Sequence, residues 1–168
     1  EAPVLWRLLQ AFETRDAEAV ASWTERFIAA RDTSEFRAET IQMGYSLGKL
    51  CSDLQLGDAD MLALLQAQTE VPLPTALAYA AVTLRVPAEA ALLGMLFSWA
   101  ENQVLVCVKS VPLGQVAGQR LLLSLQAELE VAAQQAQQLP DEELSNWSPG
   151  LSLLSMQHEV QYSRLYRS

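Results

Sequence analysis

The sequence predicts an all-α, single-domain helical bundle of roughly seven to nine helices and no sheet. Three observations carry this. The 24 Ala, 29 Leu, 15 Gln and 14 Glu make about half of the 168 residues strong helix formers, against 21 Val, Ile and Thr together. Apolar residues recur at steps of three and four through almost every segment, and those segments are punctuated by Pro or Gly. With 51% hydrophobic side chains the chain is long enough to bury one ordinary core.

The elements follow in order. After Pro3, the residues Leu5, Leu8, Leu9 and Phe12 form one face of a first helix, and Val20, Trp23, Phe27 and Ile28 do the same over residues 17–30. Asp32 and Glu35 have capping-box spacing, and Phe36, Thr40, Met43, Leu47, Leu50 and Leu54 then mark the apolar stripe of a helix ending near Gly57. Asp58 caps a short helix through Met61, Leu62 and Leu65, and the prolines at 72 and 74 delay the next helix to Thr75. The run from Pro87 to Lys109 has few polar positions and is expected as the buried central helix. Val104 to Val108 favours strand locally, but no breaker separates it from that helix. Pro112 opens a long helix to about Leu139, and Pro140 stops it. Asp141, Glu142 and Glu143 then read as a solvated acidic turn. Pro149 and Gly150 mark a hinge between a body, 1–150, and a tail, 151–168.

Charge narrows the function classes. Eleven cations against twenty anions give −9, which disfavours nucleic acid and anionic membrane surfaces. Residues 160–168 carry two cations and no anion, a basic tip on an acidic body. The longest apolar stretch, Ala90 to Ala100, falls short of the roughly 20 residues of a membrane span. Cys51 and Cys107 allow at most one disulfide, and no secretory leader is visible, which together predict a reducing cytoplasm. The chain opens at Glu1 without Met, as a piece of a longer protein would.

Several motifs carry possible chemistry. Gly44-Tyr45-Ser46-Leu47-Gly48 has nucleophile-elbow spacing and His158 lies downstream, the order of a serine hydrolase. That chemistry needs a strand-to-helix turn, and the pentapeptide sits within a helical pattern, so Gly44 and Gly48 read instead as sites of close helix packing. Gly114 and Gly118 are too closely spaced for a phosphate loop and lack its Lys-Ser/Thr pair. One histidine and two distant cysteines make no metal site, and no cofactor is expected. The tail from Leu151 to Ser168 is the unusual stretch: Leu154, His158, Tyr162 and Leu165 share a helical face, and two tyrosines and two arginines fill its end. Tyr and Arg are common interface anchors, so a docking segment, mobile when free and ordered on binding, is expected.

Pro112-Leu113-Gly114-Gln115 with Gly118-Gln119, then Ser155-Met156-Gln157-His158-Glu159, then Gln161-Tyr162-Ser163-Arg164-Leu165-Tyr166-Arg167-Ser168 closely resemble the urease accessory protein family UreF, as does Arg37-Ala38-Glu39-Thr40 before Met43-Gly44. The family's N-terminal Leu-Pro and Gly-Leu-Glu segment is absent, and Tyr166 stands where Phe is common. The resemblance implies a non-enzymatic, all-α and usually dimeric scaffold. It implies an adaptor joining UreD (UreH in some organisms) to the GTPase UreG in nickel insertion into apo-urease. On this reading His158, Glu159, Gln161, Tyr162, Ser163, Arg164, Leu165 and Arg167 are the tail's contact residues. Lys109, Gln115, Gln119 and Arg120 form a second candidate cluster near a helix start.

Overall fold

The computed structural model describes residues 1–111 and 113–163. Among them the chain forms α1 (Ala2–Thr14), α2 (Ala17–Ala29), α3 (Ser34–Asp53), α4 (Ala59–Gln66), α5 (Leu73–Thr83), α6 (Ala88–Ser110), α7 (Gln115–Ser124), α8 (Gln126–Gln138), a 3-10 turn (Asp141–Glu143) and α9 (Pro149–Glu159). No strand occurs among the described residues, and Val104 to Val108 continues α6. Uninterrupted i to i+4 bonding outweighs the local strand preference of those valines.

The centre of the bundle is α5, not α6. Ala76, Ala78, Tyr79, Ala80 and Ala81 are all buried, and α5 packs on α1, α3, α4 and α6. Alanines let several helices approach one short helix closely, a role that a run of bulky leucines cannot fill. From α1 come Leu5, Leu8, Leu9 and Phe12, all buried, with Phe12 edge-on to Tyr79 at 5.9 Å between ring centroids. By contrast α6 buries only a stripe, Leu92, Ala100 and Val104, while Phe97, Trp99 and Val106 lie exposed. This corrects the expectation of a buried central helix at Pro87 to Lys109. At 23 residues α6 also reaches the length and apolarity of a membrane span, further than the Ala90 to Ala100 stretch suggested. Its buried stripe packs on α1, α7 and α8.

Local signals fared unevenly. The Asp58 side chain accepts the backbone N–H of Met61, the expected cap of α4. At α3 the expected capping box at Asp32 and Glu35 does not form; Thr33 is the cap, its hydroxyl accepting from the Phe36 N–H. The buried stripe of α3 is Thr40, Gly44 and Cys51, whereas Met43, Leu50 and Leu54 are exposed. Thr40 is buried as expected and Leu47 packs against the core, so the buried face is turned by roughly 60°, less than one residue's step, from the expected stripe. Gly44 causes this: a β-carbon there would stand 2.1 Å from the carbonyl oxygen of Val71, so only glycine admits the backbone leading into α5. At Gly48 the nearest atom, in Leu65, would be 3.7 Å away, an ordinary contact. Gly118 is the tight glycine of the α6–α7 contact: a β-carbon there would meet the Val108 side chain at 2.7 Å.

Further corrections concern the second half. Helix α5 begins at Leu73 with Pro74 in its first turn, two residues earlier than expected, because Pro72 takes the cap position. The single helix expected from Pro112 to Leu139 is two, α7 and α8, joined through Leu125; Pro112 itself lies outside the described residues. Asp141 is not merely solvated. Its carboxylate pairs with Arg7, whose guanidinium also donates to the Leu139 carbonyl and stands 5.1 Å from the Trp23 ring centre. Pro149 and Gly150 form the first turn of α9 rather than a flexible hinge.

Candidate functional site

Helix α9 is attached to the bundle by polar contacts with α3 and the residues before it. Ser152 donates to the Asp32 carboxylate at 2.9 Å, and the Ser155 and Thr33 hydroxyls, both buried, bond at 2.9 Å. His158 Nδ1 lies 2.8 Å from a Glu35 carboxylate oxygen. Glu159 accepts the backbone N–H of Ser34 at 3.0 Å and of Glu35 at 3.4 Å. Upstream of α9, the Asn146 amide donates to the carbonyl of Ala30. Helix geometry leaves the first N–H groups of α3 without intrahelical partners, and a carboxylate there also suits the positive end of the helix dipole.

Ser152, Ser155 and His158 to Glu159 recur at three- and four-residue spacing, so they share the side of α9 turned inward. The large apolar residues of α9, Leu151, Leu153, Leu154 and Met156, are spread around the helix and are all exposed, at 57%, 60%, 64% and 46%. This is the reverse of an ordinary surface helix, which turns its apolar side in. Of the expected common face of Leu154, His158, Tyr162 and Leu165, Leu154 and His158 lie one turn apart on the same side of α9, but the helix ends at Glu159, so Tyr162 does not continue it, and Leu165 lies outside the described residues.

The structure thus separates the tail candidates. His158 and Glu159 are turned to α3; Gln161, Tyr162 and Ser163 follow the helix end and are exposed; Arg164, Leu165 and Arg167 lie outside the described residues. The expectation that the tail orders only on binding is corrected for residues up to Glu159, which already form a helix in the isolated chain. Thr33, Asp32, Ser152 and Ser155, the seat of α9, were missed in the sequence. Their partners lie 120 or more residues away, and serine or threonine alone gives no long-range signal.

The second cluster sits elsewhere. Lys109 ends α6, Gln115 opens α7, and Gln119 and Arg120 follow on α7; all four are exposed. Neither Lys109 nor Arg120 has an ion pair among the described residues, and exposed Val116 and Leu123 lie one turn to either side of Arg120. Close packing at Gly118 holds α7 on α6 and so brings Lys109 to the same end of the pair. Helix α9 packs on α3, so the two candidate groups belong to different parts of the bundle.

Hydrolytic geometry is not present. Ser46 is mid-helix and donates to the Gln42 carbonyl one turn back. The histidine is engaged with Glu35, eleven residues from Ser46 along α3, a rise of about 16 Å. Among the described residues no three His, Cys, Asp or Glu side chains gather to hold a metal ion. Cys51 is buried, which pushes its thiol pKa up, and Cys107 is exposed; both are free thiols. A cleft of about 450 Å³ between α1, α2 and the end of α8 is lined by Trp6, Gln10, Asp16, Trp23, Gln137 and Asp141 and brings together no nucleophile and base.

A family model described as UreF matches residues 1–126. The chain is 96% identical over 168 residues to the urease accessory protein UreF of Janthinobacterium sp. (strain Marseille), spanning all of this chain and 74% of that protein. Identity to the urease accessory protein UreF of Nitrosospira multiformis is 67% over 168 residues, again all of this chain and 74% of the relative. For the urease accessory protein UreF of Azoarcus sp. (strain BH72) it is 49% over 170 residues, with 100% and 73% covered.

Proposed function

The chain belongs to the UreF family of urease accessory proteins, accessory factors rather than enzymes, and from that premise we propose a non-catalytic adaptor that bridges UreD (or UreH) and the GTPase UreG during nickel insertion into apo-urease. On this reading it works in the cytoplasm as a homodimer, and nickel is cargo of the assembly rather than a resident cofactor. The observation that carries the docking part is the exposure of every large apolar residue of α9. Leu151, Leu153, Leu154 and Met156 are exposed on a helix already formed, and Tyr162 beyond its end is exposed too. Leaving such a surface in water is unfavourable by about 25 cal/mol per Å², and a partner that covers it recovers that free energy.

We assign UreD to the tail, residues 151–168, with Leu154 and Tyr162 as anchors and Gln161, Ser163, Arg164, Leu165 and Arg167 beside them. The face of Lys109, Gln115, Gln119 and Arg120 is assigned to UreG. Lys109 and Arg120, without ion-pair partners among the described residues of an acidic chain, favour a partner with carboxylates at that contact. Capture from purified components tests both. Deleting residues 161–168, or Tyr162→Ala, is expected to lose UreD and urease activation. Alanine at the four cluster positions is expected to lose UreG while keeping UreD. Retention of both partners by both variants refutes the assignment.

A further inference from the structure

We propose that Glu159 is a positioning residue: with His158, Ser155 and Ser152 it seats α9 on the first turn of α3, and this seating holds the exposed leucines and Met156 of α9 ready for the partner. The inference rests on the adaptor reading and adds to it how the docking helix is kept in place.

Burial does not hold α9. The only buried residue of the helix is Ser155, and its leucines and Met156 are exposed. An eleven-residue helix with no apolar anchor is marginal in water, so its order has to come from the polar contacts. Those contacts lie at its middle and its end: Ser152 to Asp32, Ser155 to Thr33, His158 to Glu35, and Glu159 to the Ser34 and Glu35 N–H groups. The Glu159 contact links the two helices reciprocally. The carboxylate supplies the acceptor that the start of α3 lacks, and α3 in turn fixes the last turn of α9. Its neighbours Glu35 and Asp32 are also acidic, and they are engaged by His158 and Ser152 from α9.

Partner affinity follows from the seated population. When only a fraction of molecules present α9 as a formed helix in its seat, apparent affinity falls by that fraction. Glu159 therefore acts on docking without touching the partner, whereas Leu154 acts by contact.

The test uses the full chain and purified UreD of the same organism, reading backbone amide exchange over residues 31–38 and 149–160 together with UreD affinity. Glu159→Ala is expected to raise exchange in both segments and to weaken UreD binding by about ten-fold. Glu159→Gln keeps an acceptor oxygen and is expected to restore most of both. Leu154→Ala is expected to weaken binding with exchange unchanged. Exchange unaltered in Glu159→Ala overturns the seat itself. Raised exchange with undiminished UreD binding overturns its coupling to docking. A wild-type chain that does not capture UreD overturns the adaptor reading and the coupling with it, while the exchange data still decide the seat.

Discussion

Gly44 lies so close to Val71 that a β-carbon on the glycine would meet the Val71 carbonyl oxygen at 2.1 Å and the Pro72 carbonyl carbon at 2.5 Å. Both atoms are backbone, so relief requires moving the whole entry to α5, the helix at the centre of the core. Gly44→Ala is therefore expected to destabilise by about 1–3 kcal/mol or more. Gly48→Ala meets nothing closer than 3.7 Å and is expected to be neutral or to stabilise by up to about 1 kcal/mol through helix propensity. Urea unfolding of the two variants checks this; equal midpoints would refute the close approach at Gly44.

Thr24 and Thr75 share a hydroxyl hydrogen bond of 2.9 Å between α2 and α5, and both residues are buried. Either single change to valine leaves one hydroxyl without its partner and is expected to cost about 1–3 kcal/mol. The double change Thr24→Val with Thr75→Val replaces both groups at similar volume and is expected to lie well below the sum of the singles. A double-mutant cycle by thermal or urea unfolding reads the coupling. Additive losses would show that the hydroxyls do not depend on each other.

Asp58 ties the cap of α4 to solution pH. The Met61 backbone N–H, then the Arg15 guanidinium, hold its carboxyl below the ordinary value of 3.8. A depressed folded-state value means that its contribution is present above pH 3.8 and is lost as pH falls through the lower value. Asp58→Ala is expected to lower the thermal midpoint at neutral pH, with the deficit shrinking in acid below pH 3.8. A deficit that stays constant as pH falls well below 3.8 would contradict the assignment of the effect to the charged form.

Ser46 hydrogen-bonds within its own helix and has no base beside it. Ser46→Ala is expected to leave urease activation and partner capture unchanged, and the wild-type chain is expected not to react with a serine-directed acylating probe. Labelling at Ser46 that a substitution of His158 abolishes would revive a hydrolytic reading.

The helical class and most of the elements were legible from residue order alone. Leu5, Leu8, Leu9 and Phe12 repeat at helical spacing and bury together, and Asp58 caps the helix that follows it, because these signals operate within about one or two turns of chain. The family was legible for a related reason: the ordered run from Ser155 to Ser168 is long enough to be specific. Only the tertiary structure decided which face of each helix turns inward. On α3 the close approach at Gly44 outweighs the burial of Met43, Leu50 and Leu54, since overlap with backbone cannot be relieved by a rotamer. On α9 the inward side is set by Thr33, Asp32 and the open N–H groups of α3, which lie more than a hundred residues away. Hydrogen bonds to such distant partners leave no periodic trace in the sequence, and so the polar side of α9, with His158 and Glu159, became readable as a seat only once the helices were in place.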